Sequence, residues 1–509
     1  MKCPKCRRDN PEYAAYCRRC EFDLSTDPDH PSPDHRKTSP VAIAAFILSL
    51  LSFGLYIFAA IPALLLASFA RADIEREPWR HTGRPLARKA VLLSIISTLA
   101  LTAALFYLWT LDAPPIPNDY TVADLRSARP EFNETFELLR SITGDSDESP
   151  GAAAGLTEQD IETIGSLTEL LADANQSGIS AVLGENRPFL EQAWSKTENA
   201  RRTIARLAEF EQIADLTEPR ATPASQLPIG AGFLHLGRLY LNYAQLRLQQ
   251  GDVTGAIGAL AEFDCVARKL SISARTDFTK LICLIVLQQD MRAANAIANS
   301  PRASRDTVIR VADHFTPLTD EHLSTRNAAL FQYLMFKAAL TTRPSVFKHG
   351  PPLLKVNSTL RLDRDACDRV LSGFPSGVAD IRSRLAVWPQ VCSFLGPVSV
   401  DRSTGRLPLL YRLYNPGGAK ILEMFRPGLS PWRDFSKRVT KVIVVDDLLQ
   451  IVMNKRLARP FSLKARAYGD NYIIDLEDKK IFSPGPDLAP NTKDDIALPI
   501  DPEVLGFEQ

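Results

Sequence analysis

The sequence predicts a multidomain membrane protein with a small metal-bound head, transmembrane helices, a mainly α extracytoplasmic domain and a small α+β C-terminal part. Four cysteines lie within the first twenty residues. Two long stretches, 41–70 and 90–111, contain no charged residue. From Thr157 to about Val391, apolar residues recur at spacings of three and four, which is typical of amphipathic helices. Together these observations predict the order head, membrane, helical domain.

The head is predicted over residues 1–24 from the spacing of its cysteines. Cys3 and Cys6 form one Cys-x-x-Cys pair, and Cys17 and Cys20 form a second. Two such pairs supply the four thiolates that one tetrahedral Zn²⁺ requires. Because a segment of this length has little apolar surface to bury, its fold should depend on the metal. Two disulfides or an empty ribbon are the alternatives, although a head on the reducing side of a membrane keeps its thiols free.

These residues resemble the small zinc-ribbon heads of many bacterial membrane proteins, whose pattern is Cys-Pro-x-Cys-Gly, about ten residues, an aromatic residue and Cys-x-x-Cys-Gly. The matching positions are Cys3, Pro4, Cys6, Asn10, Pro11, Tyr16, Cys17, Cys20 and Leu24. Arg7 and Glu21 stand where the family usually has glycine, which suits the left-handed conformation after the second cysteine of a knuckle. The resemblance implies a zinc site with looser turns.

A polar, proline-rich linker is predicted over 25–39, followed by a transmembrane domain over 40–111. The stretch 41–70 would span about 45 Å as one helix, well beyond a hydrocarbon core of about 30 Å, and Gly54 and Pro62 interrupt it. We therefore predict a helical hairpin over 41–70 and one further helix over 90–111. A single tilted crossing is the alternative for 41–70.

The distribution of basic residues predicts the topology. The loop from Arg71 to Lys89 contains six lysine and arginine residues, whereas none follows Lys89 until Arg126. Because cytoplasmic loops are enriched in lysine and arginine, the head and this loop should be cytoplasmic and everything after Leu111 extracytoplasmic. A single crossing in 41–70 would instead place either the head or the loop outside.

Residues 40–111 resemble the bacterial membrane domain commonly labelled DUF4190. In that family a broken apolar hairpin leads into a basic loop with a Gly-Arg-x-Leu-Ala element and then a final helix. Gly83, Arg84, Leu86 and Ala87 fit this element, whereas Arg88 and Lys89 stand where small apolar residues are more usual. The resemblance implies a membrane module without a known activity.

The extracytoplasmic part is predicted to begin with a proline-rich stalk and a loose acidic segment over 112–156. A helical domain over 157–395 follows. Within it, Leu239 to Leu260 resembles one tetratricopeptide-like helical hairpin, with Gly251 and Asp252 at the turn. No second copy is clear at that period, so a stacked array and an irregular helical domain both stay open.

An α+β region is predicted over 396–509. Pro397 to Asp401 and Leu407 to Tyr414 are predicted as short strands, Tyr414 to Gly418 as a turn, and Trp432 to Arg456 as a helix. One apolar stripe runs along that helix, formed by Phe435, Val439, Val442, Val445, Leu449 and Val452. After the helix we predict an antiparallel pair formed by Ala465 to Tyr468 and Tyr472 to Phe482.

The closing segment resembles the C-terminal end of type II secretion pseudopilins, in which a long helix leads to a small sheet and a Ser-x-Gly-x-Asp loop ending in Asp-Asp-Ile. The matching residues are Ser483, Gly485, Asp487, Asp494, Asp495 and Ile496. Such loops can bind calcium in that family, so the resemblance implies a Ca²⁺ site at Asp487, Asp494 and Asp495. A solvated acidic turn is the alternative. The family's N-terminal apolar helix is missing here.

Motifs for catalysis are few, and we predict that the protein is not an enzyme. Ser345-x-x-Lys348 and the fragment Gly230-Ala-Gly232 are short enough to arise by chance, and His235, His314 and His322 are scattered. Four further cysteines form disulfides or remain buried thiols: Cys265, Cys283, Cys367 and Cys392. The formal net charge of +1 does not favour nucleic-acid binding.

The predicted function is that of a membrane-anchored interaction or scaffold protein of the bacterial inner membrane, multi-pass, with a cytoplasmic N-terminus. Its predicted partners are the membrane and envelope proteins or peptides. An accessory component of a secretion or pilus-like machine is the alternative, and an extracytoplasmic enzyme is the third reading.

Overall fold

The structure is a computed structural model of the chain, and it describes residues 1–11, 14, 16–22, 24, 37–55, 57–76, 81–125, 133–143, 152–173, 176–219, 229–342, 354–373, 415, 417–418, 420, 422, 429–467, 471–485 and 489–507. The chain divides into two compact units, Met1–Asp112 and Ala113–Gln509. The described residues are mainly helical, with a few short strands and a cluster of cysteines, as the sequence predicted.

Three helices form most of the first unit: α1 (Pro40–Leu55), α2 (Ile57–Arg76) and α3 (Arg84–Thr110). Ala42, Ala70 and Ala87 pack in one layer, and Ala45, Ala67 and Ala90 pack in another. From the first layer to the second, the residue number increases along α1 and α3 but decreases along α2. Helix α2 is therefore antiparallel to both. The apolar stretch 41–70 is therefore a helical hairpin rather than one long helix, because the chain reverses around residue 56.

The side chains of this bundle are distributed in the opposite way to those of a water-soluble domain. Its interior contains alanines and buried serines, with Ser52 Oγ and Ser97 Oγ 2.5 Å apart. Its outer surface exposes large apolar side chains on all three helices, among them Ile47, Leu50, Phe58, Phe69, Leu92 and Leu99. Small residues inside allow close approach of the helices, while the large apolar side chains are exposed among the described residues of this unit.

Two short strands hold the ends of the bundle together. Strand β1 (Lys37–Thr38) pairs in parallel with β2 (His81–Thr82), and Ser39 N–H donates to Thr82 O at 2.9 Å. Because β1 leads into α1 and β2 leads into α3, both helices start at the same end of the bundle. The residues just before α1 and those just before α3 thus share that end.

The Gly-Arg-x-Leu-Ala element lies at this junction. Gly83 adopts φ +113°, and a Cβ there would lie 3.0 Å from Thr38 Cγ2. Arg84 donates to Glu75 at 2.8 Å and to the carbonyl of Arg18 at 3.1 Å. Ala87 is fully buried in the alanine layer. The glycine, arginine and alanine of the element therefore each have a separate structural role.

The second unit has a core built mainly from helices. In chain order these helices are α4 (Asn133–Thr143), α5 (Glu158–Asp173), α6 (Gln176–Lys196), α7 (Glu198–Glu209), α8 (Ala231–Gln249), α9 (Val253–Ser273), α10 (Asp277–Ala298), α11 (Arg305–His314), α12 (Asp320–Leu323), α13 (Arg326–Thr342), α14 (Val356–Gly373), α15 (Leu429–Arg456) and α16 (Pro502–Leu505).

The predicted hairpin over Leu239 to Leu260 is formed by α8 and α9. Gly251 adopts φ +84° at the turn, and Asp252 caps α9 by accepting from Gly255 N–H at 2.9 Å. Ala244 and Ala256 are both buried where the helices pack. The sequence predicted this hairpin because it has a glycine at the turn, a capping residue directly after it, and small residues where the two helices pack.

Helix α15 is a central helix of the second unit, and it packs extensively against α10. The predicted stripe from Phe435 to Val452 is buried, but so are Ile443, Val444, Leu448, Ile451 and Met453. The helix is therefore buried on more than one face, because α10 and α11 as well as the strands Lys480–Ser483 and Ile496–Pro499 pack against it. The sequence predicted one apolar stripe on this helix, and the buried part of its surface is wider than that stripe.

The C-terminal sheet has three antiparallel strands in the order β3 (Ile473–Asp475), β4 (Lys480–Ser483) and β5 (Ile496–Pro499). The prediction of one strand from Tyr472 to Phe482 is wrong, because the chain turns between Asp475 and Lys480. Asp475 accepts from the N–H groups of Glu477 and Asp478, and Lys479 adopts φ +50°. The predicted strands at 397–401 and 407–414 lie outside the described residues.

The segment after the first unit has no regular secondary structure over 113–116 and then turns at Pro117 and Asn118, where Asn118 has φ +51°, so the predicted extended stalk is interrupted. The segment is bound to α13 and α14. Arg361 donates to the carbonyl of Pro114 at 2.8 Å. Asp119 forms ion pairs with Lys337 at 2.6 Å and Arg364 at 3.0 Å. The predicted stalk is therefore a part of the second unit rather than a free spacer.

Candidate metal centre

Each Cys-x-x-Cys pair of the head forms a tight knuckle with the same backbone bonds. Arg7 N–H donates to Cys3 O at 2.8 Å, and Cys3 N–H donates to Arg8 O at 3.0 Å. The second knuckle repeats this pattern, with Glu21 N–H bonded to Cys17 O and Cys17 N–H bonded to Phe22 O. Equivalent turns direct both sulfurs of each pair to the same side.

Arg7 and Glu21 take the conformation that glycine usually takes in a knuckle. Both residues have φ +58°. An L-residue in this left-handed region costs about 1 kcal/mol relative to glycine, which is small compared with the free energy of metal binding. The departures from the ribbon pattern therefore strain the two turns without removing a ligand.

The four cysteine sulfurs lie together. All are within 4.8 Å of one another, with Cys3 Sγ 3.5 Å from Cys20 Sγ and Cys6 Sγ 3.3 Å from Cys17 Sγ. Tetrahedral zinc with bonds of about 2.3 Å needs sulfurs about 3.8 Å apart, so small outward shifts accommodate it. The four residues could hold a metal ion, and their donor set is compatible with zinc.

Asn10 connects the two knuckles. Its amide Nδ2 donates to Arg8 O at 2.9 Å and approaches Cys17 Sγ at 3.5 Å, while its Oδ1 accepts from Arg18 N–H at 3.0 Å. The sequence pattern included Asn10 but assigned it no role. Asn10 is buried, and its role in joining the two knuckles is visible only in the folded head.

The thiols differ in acidity because their surroundings differ. Burial raises the pKa of Cys17, but the N–H groups of Arg19 and Cys20 and the Cys6 and Asn10 side chains outweigh burial and lower it to about 6. Burial, with contributions from the neighbouring thiols, raises the pKa of Cys20 to about 12. Metal binding would replace the protons that the cluster retains, which links binding to pH.

Few apolar side chains support the head. Cys3, Tyr16 and Cys17 are buried, whereas Phe22 is 41% exposed and Leu24 is half-buried. Tyr13, which the sequence also placed in this small core, lies outside the described residues. A core of this size supplies little of the stability that an independent fold requires.

The proposed calcium residues are only partly described. Asp487 lies outside the described residues. Asp494 accepts from Thr492 Oγ at 2.6 Å, and Asp495 accepts from Asn491 N–H at 2.8 Å. Both carboxylates thus bond to their own loop. Within the described part of the chain, the four head cysteines are the one group of three or more potential ligands close enough to share an ion.

The histidines and the glycine fragment considered for catalysis from the sequence occupy structural positions. His322 accepts from Thr319 N–H at 3.0 Å and caps α12, and burial lowers its pKa to about 4. A Cβ on Gly232 would lie 3.0 Å from Thr143 O, so this glycine permits close approach of α8 and α4. Burial lowers the pKa of His235, which lies on the half-buried side of α8.

The described cysteines of the second unit are free thiols: Cys265, Cys283 and Cys367. Burial raises the pKa of Cys283 to about 12, so this thiol is poorly reactive. Cys392, Ser345 and Lys348 lie outside the described residues.

Sequence reasoning missed a buried polar cluster on three core helices. Asp264 on α9 accepts from Arg268 at 2.5 Å, and Asp446 on α15 accepts from Arg466 at 2.6 Å. Asp290 on α10 is buried, and its Oδ2 has no hydrogen-bond partner among the described residues. The i, i+4 spacing of Asp264 and Arg268 inside an otherwise apolar helix is the signal that the sequence offered.

Compared with known proteins, the chain matches no family model, no curated protein and no solved structure.

Proposed function

We propose that this protein is a membrane-anchored interaction or scaffold protein with a cytoplasmic zinc-binding head and an extracytoplasmic helical domain. The observation that supports this proposal most directly is the composition of the first unit. Its bundle buries alanine and serine and exposes phenylalanine, leucine and isoleucine. In water such a surface would aggregate, whereas in lipid it is solvated.

Helix lengths fit this environment. Among the described residues, two helices are long and apolar enough to cross a membrane by length and composition, one at Arg84–Ala104 and one at Asp277–Ala298. Only 22% of the first is buried inside the protein, compared with 67% of the second. We therefore assign the first to lipid and the second to the core of the second unit. Helices α1 and α2 would enter the membrane beside α3.

The arrangement of the bundle supports the topology. The paired strands β1 and β2 place the start of α1 and the start of α3 at one end. Arg76, where α2 ends, and Arg84, where α3 begins, lie at that end too, and the positive-inside rule makes this end cytoplasmic. The head then lies in the cytoplasm, and α3 leads to the other side.

A cytoplasmic location is compatible with zinc in the head. Thiols remain reduced there, so Cys3, Cys6, Cys17 and Cys20 would be available as ligands rather than bonded in disulfides. The metal would supply the folding free energy that the small apolar core lacks. Its role would be structural, because four cysteine ligands leave no open coordination position.

The architecture of the second unit is compatible with a role in binding. Helical domains with hairpins such as α8–α9 present long surfaces suited to proteins and peptides. Envelope proteins or peptides are therefore the proposed partners. Pull-down from gently solubilised membranes would test this, and recovery of pilin-like components would instead favour the secretion-machine alternative.

Reporter fusions test the topology. Alkaline phosphatase fused after Tyr120 should be active and a fluorescent protein at that position should be dark. Phosphatase fused at Thr82 should be inactive. An inactive phosphatase and a bright fluorescent protein at Tyr120 would place the helical domain in the cytoplasm and reject the topology.

Metal analysis tests the head. The full chain, purified in detergent under reducing conditions, should contain close to one zinc per chain, and a variant with Cys3 and Cys17 changed to serine should contain none. The variant Cys265→Ser is the matched control and should retain the metal. A wild-type chain that takes up no zinc at micromolar free metal would reject the site.

A further inference from the structure

A small open cavity lies between α15 and the segment that follows it. Its volume is about 200 Å³. One wall is formed by the α15 side chains Asp447, Gln450, Ile451 and Asn454, which follow one another at helical spacing. The opposite wall includes Phe461, Ser462 and Lys464. No motif in the sequence indicated this cavity, because its two walls meet only in the folded chain.

The floor of the cavity is a hydrogen-bonded polar network. Asp447 Oδ2 accepts from Tyr472 OH at 2.7 Å and from Arg466 N–H at 3.2 Å, while its Oδ1 accepts from Arg466 Nε. The Arg466 guanidinium also bonds to Asp446 at 2.6 Å. Because Arg466 bonds to both carboxylates, these groups hold one another in place, although Asp446 Oδ1, which lies behind the floor, has no hydrogen-bond partner among the described residues.

The rim is different from the floor. Within the part of the chain that the structure describes, neither the Asn454 amide nor the Lys464 ammonium has a side-chain partner. Lys464 is exposed, and Phe461 lies half in solvent beside it. An ammonium group, an amide and an aromatic ring thus line the mouth of one cavity.

We infer that this cavity binds the C-terminal residue of a peptide or protein chain. The Lys464 ammonium would bind the terminal carboxylate, the Asn454 amide would bond to the last peptide group, and the last side chain would contact Phe461 and Ile451. A charge-assisted bond to a carboxylate is about twice as strong as a neutral one, so the free acid should be preferred.

The size of the cavity supports a single terminal residue. Sites for cofactors and drug-sized ligands usually measure about 300 to 1,000 Å³. At about 200 Å³, this cavity is smaller than that range. The assignment rests on the proposed function and deepens it, because it names C-terminal peptides as the class of envelope partner.

Affinity selection with the detergent-solubilised full chain tests the inference. The probe is a pool of N-acetylated pentapeptides with randomised sequence and a free C-terminal carboxylate, and a second pool has C-terminal amides. The free-acid pool should yield bound peptides with apolar last residues. For the best peptide, amidation and Lys464→Met should each weaken binding about tenfold or more. Asn454→Leu, which fills the cavity, should abolish binding.

Lys493→Met provides the matched control, since Lys493 is an exposed lysine elsewhere in the C-terminal region and should not affect binding. Unchanged circular dichroism would show that each variant is folded. No enrichment from the free-acid pool, equal binding of acid and amide, or full binding by Lys464→Met would overturn the inference. N-acetylleucine binding as tightly as the best peptide would overturn the assignment to a peptide. None of these results depends on the topology or zinc tests.

Discussion

The side-chain amide of Asn10 lies 3.5 Å from Cys17 Sγ and bonds to the backbone of both knuckles. One buried side chain therefore fixes the separation of the two cysteine pairs. An N–H group aimed at a sulfur also stabilises its thiolate form, which is the form that binds metal.

We predict that Asn10→Ala lowers the affinity of the head for zinc about 10- to 100-fold, which is the usual effect of losing a group that orients a metal ligand. The stoichiometry at saturating metal should stay at one, since all four sulfurs remain. Competition with a chromophoric chelator would measure the change. Asn454→Ala, outside the head, is the control. An affinity equal to that of the wild type would show that Asn10 does not influence the site.

Gly83→Ala should loosen the junction between β1 and β2. The backbone there has φ +113°, and the new Cβ would contact Thr38 Cγ2 at 3.0 Å, so a cost on the order of 1 to 3 kcal/mol is expected. Hydrogen exchange of residues 37–39 and 81–83 should become faster. Gly184→Ala is the control, because open space surrounds that glycine on α6. Unchanged exchange in the Gly83 variant would argue against a strained glycine.

Asp119→Asn should release the segment 113–120 from the second unit. Asp119 accepts from Tyr333 OH at 2.6 Å in addition to its ion pairs with Lys337 and Arg364. Removing its charge leaves two cations without their shared partner, at a cost of about 1 to 3 kcal/mol. Limited proteolysis should then cleave the segment faster than in the wild type.

The same interaction should depend on pH. Burial opposes ionisation of Asp119, but Lys337, Tyr333 and Arg364 together lower its pKa. A lowered pKa means that the stabilisation is present above the unfolded value of about 4 and is lost as pH falls through the folded value. Protease resistance of the segment should therefore fall in acid. Asp313→Asn, at an exposed site on α11, should change neither property.

Asp290→Asn should stabilise the second unit near neutral pH. Burial and the neighbouring Asp264 raise the pKa of Asp290 well above its usual value, while Arg268 opposes them. Asp446 on α15 and His314 on α11 are the other titratable groups beside Asp264. Because the folded state retains a proton that the unfolded state loses, wild-type stability should fall as pH rises from about 4 toward the folded pKa.

Asparagine has a similar shape and cannot ionise, so the variant should gain about 1 to 3 kcal/mol at pH 8 and show a flatter profile. Thermal unfolding between pH 5 and pH 8 would measure both effects. Glu162→Gln, at an exposed site on α5, serves as the control. A variant less stable than the wild type at pH 8 would mean that Asp290 is ionised and bound to a partner.

Local patterns were sufficient where short-range chemistry decides the structure. The Cys-x-x-Cys spacings placed four sulfurs together because each knuckle closes within a few residues. Gly251 and Asp252 marked the α8–α9 turn for the same reason. The hairpin in 41–70 was predictable because a helix of thirty residues is too long for a bilayer.

Only the tertiary structure decided features in which distant segments meet. The pairing of β4 with β5 brings Ser483 and Ile496 together, and no pattern within the run from Tyr472 to Phe482 predicts it. The binding of residue 119 to α13 and α14 joins positions more than two hundred residues apart. The cavity beside Lys464 forms where the segment after α15 folds back on that helix, and no motif in either part predicts it. The buried carboxylate of Asp290 arises from helices brought together by burial of apolar surface, which is non-directional and leaves no local pattern.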